Sequence, residues 1–371
     1  MTIKRLLLMV LAVGVLLVVS GVAYLQHPVF GQQPEGERLA TIQASSNYRD
    51  REFHNLIETP MLTTDQSRFS MMLENILNGS ESTHPGAALP TEKVDLKALD
   101  SREDQVIWLG HSSYFVQLAG QRILIDPVFS ANASPVPRTN VAFEGTHTYT
   151  AEELPPIDIL LITHDHYDHL DYPSMLALEP NVQQVITGLG IGAHLERWGY
   201  DMSRVIEADW YERIEILPEL DIVVTPARHY SGRTFKRNQT LWVGFALLSS
   251  ETRLFSSGDT GYGPHFSELG QTYGPFDWVT LDAGQYDPRW ANIHMNPEQA
   301  VQAAHDLQAR AMTPKHVGRF SLSPHAWDDP FVRLADASQG QEYALWTPTI
   351  GQPMYLDQRE QSFSRWWEEV R

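Results

Sequence analysis

The segment Thr163–His169, with the sequence THDHYDH, constrains the fold more than any other part of the chain. It directly follows a four-residue apolar run that is typical of a buried strand. Alternate side chains of an extended segment point to the same side, so His164 and His166 can converge, and after a turn Asp168 and His169 can face a second point. Imidazole and carboxylate groups suit Zn²⁺, but four ligands are too many for one catalytic zinc with an open position. The segment therefore predicts half of a two-metal site and disfavours a polar surface loop.

Further ligands for such a site must come from downstream. His229, Asp259 and His316 each stand at the end of a predicted strand, His316 after Ala311–Lys315, and His294 precedes a predicted helix. Taken singly, each is a weak signal, because a lone histidine is more often a surface or core residue. Open α/β sheets build their sites at strand ends, so together these residues reinforce the first cluster.

The middle of the chain alternates short apolar segments with Gly-containing turns and, later, with helices. The clearest helix is predicted from about Pro297 to Arg310, because Asn296 can cap it and Gln299 can complete a capping box. A second is predicted near Ala193–Trp198, stopped by Gly199. This pattern predicts an α/β fold, with sheets packed together and helices outside. The predicted strands are Val106–Leu109, Tyr114–Leu118, Arg122–Ile125, Ile159–Ile162, Val185–Thr187, Ile222–Thr225, Trp242–Leu248, Arg253–Ser256 and Trp278–Leu281.

The N-terminus carries a different signal. Leu6–Leu25 is an uncharged run of twenty residues, directly after Lys4 and Arg5. About 20 apolar residues cross a hydrocarbon core of roughly 30 Å. The run exceeds the usual length of a signal-peptide core, although Gly21–Ala23 offers a small-x-small cleavage site. A membrane anchor is therefore favoured over a cleaved signal, and a buried soluble helix is disfavoured because no face is polar. The basic pair places the N-terminus in the cytoplasm, so we expect the remaining chain on the periplasmic side, or exported and soluble after cleavage.

These features divide the chain into three segments. Residues 1–30 form the anchor or signal segment, residues 31–104 an extension that wraps the core, and residues 105–371 the main domain. The extension is rich in Pro, Gly, Ser and Thr clusters. One amphipathic helix is predicted in it from Asp65 to Leu77, stopped by Gly79.

Composition excludes several classes of function. The formal net charge is −19, and a surface this acidic repels phosphate backbones, so nucleic acid is not expected as a partner. The chain has no cysteine, which excludes disulfides, thiolate catalysis and cysteine-ligated zinc. The absence of cysteine does not fix the compartment.

The order H-x-H-x-D-H, then His, Asp and His, resembles the metallo-β-lactamase fold superfamily. The flanking stretches are more closely similar to the group containing N-acylphosphatidylethanolamine-hydrolysing phospholipase D and its bacterial relatives. The resemblance covers about Tyr48 to Trp327. The stretches that carry it are Trp108–Ser112, Ile125–Ser130, Thr163–Asp171, Gly258–Tyr262, Tyr286–Trp290, His294–Ala300 and His316–Phe320.

The resemblance implies a four-layer αββα sandwich and two zinc ions with a water or hydroxide between them. It also implies a role for each residue of the His/Asp motif. His164, His166 and His229 would hold one metal, Asp168, His169 and His316 the other, and Asp259 would bridge them.

Three further residues are expected around these ligands. Asp126 is expected to hydrogen-bond a ligand histidine, and His111 and His294 to lie near the pocket. Asp259, Asp168 and His294 are the expected catalytic residues; Asp259 would orient the attacking water.

The expected activity is that of a dinuclear zinc hydrolase which cleaves a phosphodiester in a phospholipid, as a phospholipase D does. The alternatives are a lactonase or other ester hydrolase of the same fold, and a non-catalytic metal-binding envelope protein, which would be expected to have lost ligands. Three departures from the lipid-cleaving enzyme bear on the substrate rather than on the metals: Asp165 replaces Asn, Gln285 replaces Ala, and Val317 replaces Trp. The sequence sets neither the native metal nor the oligomeric state.

Overall fold

Two seven-stranded β-sheets form the centre of the molecule. The computed structural model describes residues 2–67, 70–71, 73–74, 82–358 and 360–370. Its strands, in chain order, are β1 (Tyr48–Arg49), β2 (Glu52–Phe53), β3 (Gln105–Gly110), β4 (Ser113–Leu118), β5 (Gln121–Ile125), β6 (Ile157–Ile162), β7 (Val182–Gly188), β8 (Val205–Ala208), β9 (Arg213–Leu217), β10 (Leu220–Pro226), β11 (Val243–Ser249), β12 (Arg253–Ser256), β13 (Trp278–Asp282), β14 (Ala311–Lys315), β15 (Ala344–Leu345) and β16 (Pro353–Tyr355).

The first large sheet has the strand order β16-β3-β4-β5-β6-β7-β8, and the second has the order β15-β14-β13-β12-β11-β10-β9. Strands β5 to β8 run parallel, as do β12 to β15, so their carboxyl ends share one edge within each sheet. Strands β1 and β2 form a small separate hairpin.

Helices cover the outer faces of both sheets. The helices of the described chain are α1 (Ile3–Tyr24), α2 (Gly36–Ala44), α3 (Tyr172–Leu178), α4 (Gly192–Arg197), α5 (His265–Tyr273), α6 (Pro297–Asp306) and α7 (Asp329–Ala337). Helices α3 and α4 lie on the first sheet, and α5, α6 and α7 on the second.

The alternation of side chains along each strand explains the four layers. In β3, Val106 and Trp108 pack between the two sheets, whereas Ile107 and Leu109 pack under the helices. In β10, Val224 faces the first sheet and Val223 faces the outer helices. Both faces of each sheet are therefore buried at its centre, and the central strands consist mainly of apolar residues. The αββα sandwich predicted from the sequence is confirmed.

The sequence located the central strands but not the peripheral ones. Each of the nine predicted strands overlaps an observed strand, and the strand expected before His316 is β14, while β1, β2, β8, β9, β15 and β16 were not predicted. Pro314 lies within β14, paired with Leu281, although proline is rare inside a sheet.

The helix predictions need one correction. The capping box of Asn296 and Gln299 is confirmed. The predicted end at Arg310 is wrong: α6 ends at Asp306, and Gln308 adopts a φ of 54°, which no helix accommodates. The helix predicted over Asp65–Leu77 falls partly on residues outside the described part of the chain; Ser70, Met71, Leu73 and Glu74 are helical within it.

The N-terminal extension contacts several parts of the main domain. Phe53 N donates to Asn238 O over 2.8 Å, Leu89 N to Glu144 O over 2.9 Å, and Glu92 N to Ile350 O over 2.8 Å. The division of the chain at residues 30 and 104 stays a prediction.

The cap of α6 gives a test of local stability. Asn296 Oδ1 accepts from Gln299 N over 2.9 Å, so Asn296→Ala removes one partner of a helix-end donor. We expect the free energy of unfolding to fall by about 1 kcal/mol, measured by urea unfolding followed by tryptophan fluorescence. Asn296→Ser keeps a capping oxygen and should retain most of the stability; equal losses in both variants would contradict the capping argument.

Candidate metal centre

The histidines and aspartates of the sequence motif meet where the carboxyl edges of the two sheets come together. Asp126 follows β5, His164 and His166 follow β6, His229 follows β10, Asp259 follows β12 and His316 follows β14. The two edges are joined by backbone hydrogen bonds, from Val243 N to Thr163 O over 2.9 Å and from His316 N to His111 O over 3.2 Å. Ligands from both sheets therefore reach one point.

A first group of nitrogens converges around His166. Its Nδ1 lies 2.8 Å from His164 Nε2 and 3.3 Å from His229 Nε2. Asp259 Oδ2 lies 3.8 Å from His164 Nε2 and 3.9 Å from His229 Nε2. One ligand atom from each of these four residues falls within 4.8 Å of all the others, a spacing that can hold a metal ion.

A second group surrounds the Asp168 carboxylate. Asp168 Oδ2 lies 2.9 Å from His111 Nε2, 3.0 Å from His316 Nε2 and 3.6 Å from His169 Nε2. These four residues again meet the spacing that can hold a metal. Asp259 Oδ2 lies 3.1 Å from His169 Nε2 and 3.3 Å from His316 Nε2, so this one carboxylate stands between the two groups.

Two buried aspartates orient the histidines from behind. Asp126 Oδ2 lies 2.9 Å from His169 Nδ1, and the same carboxylate accepts from Thr163 N over 2.8 Å and from Thr163 Oγ1 over 2.7 Å. Asp282 Oδ2 lies 2.8 Å from His294 Nδ1, and its Oδ1 lies 3.6 Å from His316 Nδ1. A carboxylate on the far nitrogen fixes the tautomer and the direction of a metal-binding imidazole.

Burial and charge set the protonation states of the two groups differently. Burial lowers the pKa of His164 and of His229 well below its usual value and that of His166 to about 4, so all three rings are neutral. Burial would also lower the pKa of His169, but the charges of Asp259 and Asp168 outweigh it and raise that pKa to about 9. The neutral nitrogens of the first group can therefore bind a cation directly, whereas His169 must release a proton before it can bind one.

Unpaired buried atoms show that the donor set fits metal ions. Among the described residues, His169 Nε2 and Asp259 Oδ1 are buried without a hydrogen-bond partner, and both residues belong to the converging groups. Leaving such atoms unsatisfied is costly. Metal ions would relieve this cost, and nitrogen and carboxylate donors without sulfur suit zinc.

The groups open into a cleft of about 620 Å³. His166, Asp168, Asp259, His294 and His316 lie at its floor or walls. Its apolar lining consists of Met61, Leu62, Met71, Trp290, Ile293 and Leu322. Arg237 is the one arginine or lysine among the described lining residues. The cleft therefore combines a polar floor with an apolar wall.

The structure brings all seven predicted ligands together. Of the two histidines expected near the pocket, it places His294 in the cleft and His111 outside it. His294 lines the cleft and stacks on His316 with ring centroids 4.8 Å apart. His111 is fully buried beside Asp168 and is not among the lining residues of the cleft. Sequence reasoning missed Asp282, although an aspartate ending an apolar strand was a usable signal, and it missed the buried Lys315, whose Nζ lies 3.7 Å from Asp126 Oδ2.

The three departures noted in the sequence all lie close to the centre. Asp165 accepts from Gly232 N over 2.6 Å and from Thr240 Oγ1 over 3.0 Å, and it lies 3.2 Å from His194 Nε2. Gln285 donates from Nε2 to His316 O over 3.2 Å. These residues support the loops that carry the ligands.

The chain is similar to a protein family and to several known proteins. The family model of the beta-lactamase superfamily domain matches residues 121–317. An uncharacterized protein of Mycobacterium tuberculosis is 36% identical over 318 residues, covering 84% of this chain and 85% of its own. N-acyl-phosphatidylethanolamine-hydrolyzing phospholipase D 1 of Caenorhabditis elegans is 31% identical over 234 residues, covering 58% of this chain and 64% of its own. Among solved structures, a metallo hydrolase from Ignicoccus hospitalis aligns with a TM-score of 0.51 at 20% identity, covering 68% of this chain and 97% of its own.

Metal content tests the grouping of the ligands. We expect about two metal ions per chain in the wild type and about one in His229→Ala, because this substitution removes a nitrogen from the first group only. The measurement is elemental analysis by mass spectrometry after dialysis. His305→Ala is the matched control, since that side chain is 75% exposed on α6 and should leave the metal content unchanged. An unchanged metal content in His229→Ala would contradict the assignment.

Proposed function

Because the chain belongs to the beta-lactamase superfamily of metal-dependent hydrolases, we propose that it holds two zinc ions and hydrolyses a phosphodiester bond of a phospholipid. One observation carries the proposal: the Asp259 carboxylate stands between two converging groups of imidazoles at the floor of a cleft with an apolar wall. His164, His166 and His229 would hold one ion and Asp168, His169 and His316 the other, with Asp259 shared.

Each residue around the ions would have its own role in the reaction. When bound, the two metals supply an acidified water and positive charge that stabilises the developing oxyanion. Asp259 orients the attacking water and can accept its proton. Asp282 holds the proton of His294 on Nδ1, which leaves His294 Nε2 for the substrate or the leaving oxygen. Asp168 holds the second group in place through His111 and His316.

The lining of the cleft favours a lipid over a small polar ester. Met61, Leu62 and Met71 give one wall an apolar surface that acyl chains can cover. The Arg237 guanidinium can pair with a phosphate oxygen, and burial within a cleft strengthens such a pair. The name of the Caenorhabditis elegans relative describes hydrolysis of a phospholipid, which supports the same substrate class. A lactone or carboxylic ester hydrolase is the alternative within the fold.

Two substitutions test the chemistry. His166→Ala and Asp259→Ala should lower the hydrolysis of phospholipids and of bis-p-nitrophenyl phosphate to background, because the first removes a nitrogen from one metal group and the second removes the shared carboxylate. Circular dichroism should show the fold retained, because the apolar packing between the sheets and under the helices does not include these residues. His305→Ala should match the wild type.

The substrate panel separates the alternatives. Turnover of lactones without turnover of either phosphodiester would replace the lipid proposal with the ester alternative. Wild-type rates in metal-verified Asp259→Ala would refute the mechanism itself.

We also propose that α1 anchors the protein in a membrane with the main domain on the periplasmic side. The helix has 22 residues, which at 1.5 Å per residue is about 33 Å. After Lys4 and Arg5, the described residues of the helix are uncharged and exposed. A membrane-spanning helix requires this, and a signal sequence has the same properties.

Three measurements test the anchor. The mature N-terminus should begin at Met1 or Thr2, carbonate washing should leave the protein on the membrane, and protease added to the periplasmic side should digest the main domain. A soluble mature protein that begins near Tyr24 would decide for a cleaved signal.

A further inference from the structure

The segment that joins α1 to the main domain is fixed rather than free. Residues 26–32, here called the neck, are held by side chains of α4 and its surroundings. Arg197 Nη2 donates to Gln26 O over 2.6 Å, and Trp198 Nε1 donates to Pro28 O over 2.8 Å. Gln32 N donates to His194 Nδ1 over 2.9 Å. Because three hydrogen bonds hold the backbone of the neck, the neck cannot move freely relative to the main domain. The end of α1 therefore has a fixed position on that domain.

That place is beside the cleft. Arg233 donates from Nη2 to Val29 O of the neck over 2.8 Å, and from Nη1 to Asp165 O over 2.8 Å and to Leu170 O over 2.7 Å. One buried guanidinium thus joins the neck to the loop that carries the metal-group histidines. Tyr24, the last residue of α1, donates from its hydroxyl to Pro135 O. Val29 lies five positions after Tyr24, so the end of α1 is at most about 18 Å from Val29, which Arg233 binds.

Several exposed apolar side chains belong to the segments that line the same cleft. Outside residues 3–25, eight large apolar side chains are exposed in the described part of the chain. Five of them belong to three segments that also line the cleft: 55–62, 133–141 and 232–237. These five residues, here called the cleft rim, are Leu56, Ile57, Val136, Val141 and Phe235. Single exposed apolar residues are ordinary on protein surfaces, but several of them in the segments that line one site indicate an interaction surface.

Phe235 is the extreme member of the cleft rim. Its relative exposure is 91%, and it lies between Thr234 and Arg237, which both line the cleft. Lys236 beside it is exposed and adds a second positive charge in a chain whose net charge is −19. An exposed aromatic ring flanked by basic residues suits the interface between lipid headgroups and acyl chains.

We propose that the cleft rim docks onto the bilayer crossed by α1, with Phe235 inserted among the lipids, so that the cleft opens directly onto the membrane surface. The inference rests on the proposed anchoring by α1. The neck identifies the bilayer as the occupant, because it fixes the end of the apolar helix beside the cleft rim. A lipid could then enter the cleft from the membrane plane without crossing water.

The absence of cysteine allows a direct test on the full-length chain. Phe235→Cys and Ser250→Cys each create one site for an environment-sensitive fluorophore. Ser250 is exposed in the turn between β11 and β12, at the sheet edge opposite Asp259. Both labelled proteins are reconstituted into vesicles of phosphatidylcholine and phosphatidylglycerol, with and without lipids that carry a nitroxide on the acyl chain.

The docked arrangement predicts a blue-shifted emission and several-fold stronger nitroxide quenching at position 235 than at position 250. Equal, water-like emission without nitroxide quenching at both positions would overturn the proposal. Protection of position 235 from water in detergent solution, without nitroxide quenching in vesicles, would overturn it in favour of contact with a second protein.

A second readout avoids the label. Phe235→Ser should raise KM several-fold for phospholipid presented in vesicles, and Phe235→Leu should restore most of the affinity. Neither variant should change the hydrolysis of soluble bis-p-nitrophenyl phosphate. An unchanged KM for vesicle lipid in Phe235→Ser would count against docking. If the wild type does not hydrolyse soluble bis-p-nitrophenyl phosphate, this result counts against the proposed function. The nitroxide quenching would still decide whether the cleft rim docks on the membrane.

Discussion

The placement of one buried carboxylate, that of Asp259, governs the architecture around the site. It is 3% exposed, and its Oδ2 lies between 3.1 and 3.9 Å from nitrogens of His164, His169, His229 and His316. A buried charge is tolerated only when it is paired, and these partners come from both sheets. The carboxylate is therefore paired only because the two sheet edges meet at this point. Gly258 makes this possible, since it has a φ of 63° and a Cβ there would lie 2.4 Å from Val243 O.

The central strands and the cluster from His164 to His169 could be predicted because each is a short local signal. The cluster lies within six residues, and the central strands are mainly apolar. The roles of His229, Asp259 and His316 were implied by the family resemblance, since each is a weak signal by itself. Contacts between distant segments left no such signal. His111 adopts a φ of 54° between β3 and β4 and lies beside Asp168, and Lys315 is buried beside Asp126 at the end of β14. Long-range packing decides such positions, and periodicity in a single sequence does not record it.

The same side chains, His194 and Arg233, bind both the neck and the loop of residues 163–170 that carries metal-group ligands. Asp165, one of the departures from the resembling enzyme, contacts His194, whose other nitrogen accepts from the neck. Arg233 holds the neck and the same loop together. The N-terminal segment is therefore connected to the candidate site through shared hydrogen bonds. With a lipid substrate this connection has a purpose, because a fixed anchor would hold the cleft towards the membrane surface.

The central claim is that Asp259 is shared by two metal ions. Anomalous diffraction from zinc-loaded crystals, recorded on both sides of the zinc absorption edge, tests it most directly. The account predicts two peaks about 3.5–4 Å apart, one among His164, His166 and His229 and one among Asp168, His169 and His316, with Asp259 between them. A single peak, or two peaks of which either lies away from Asp259, would contradict it.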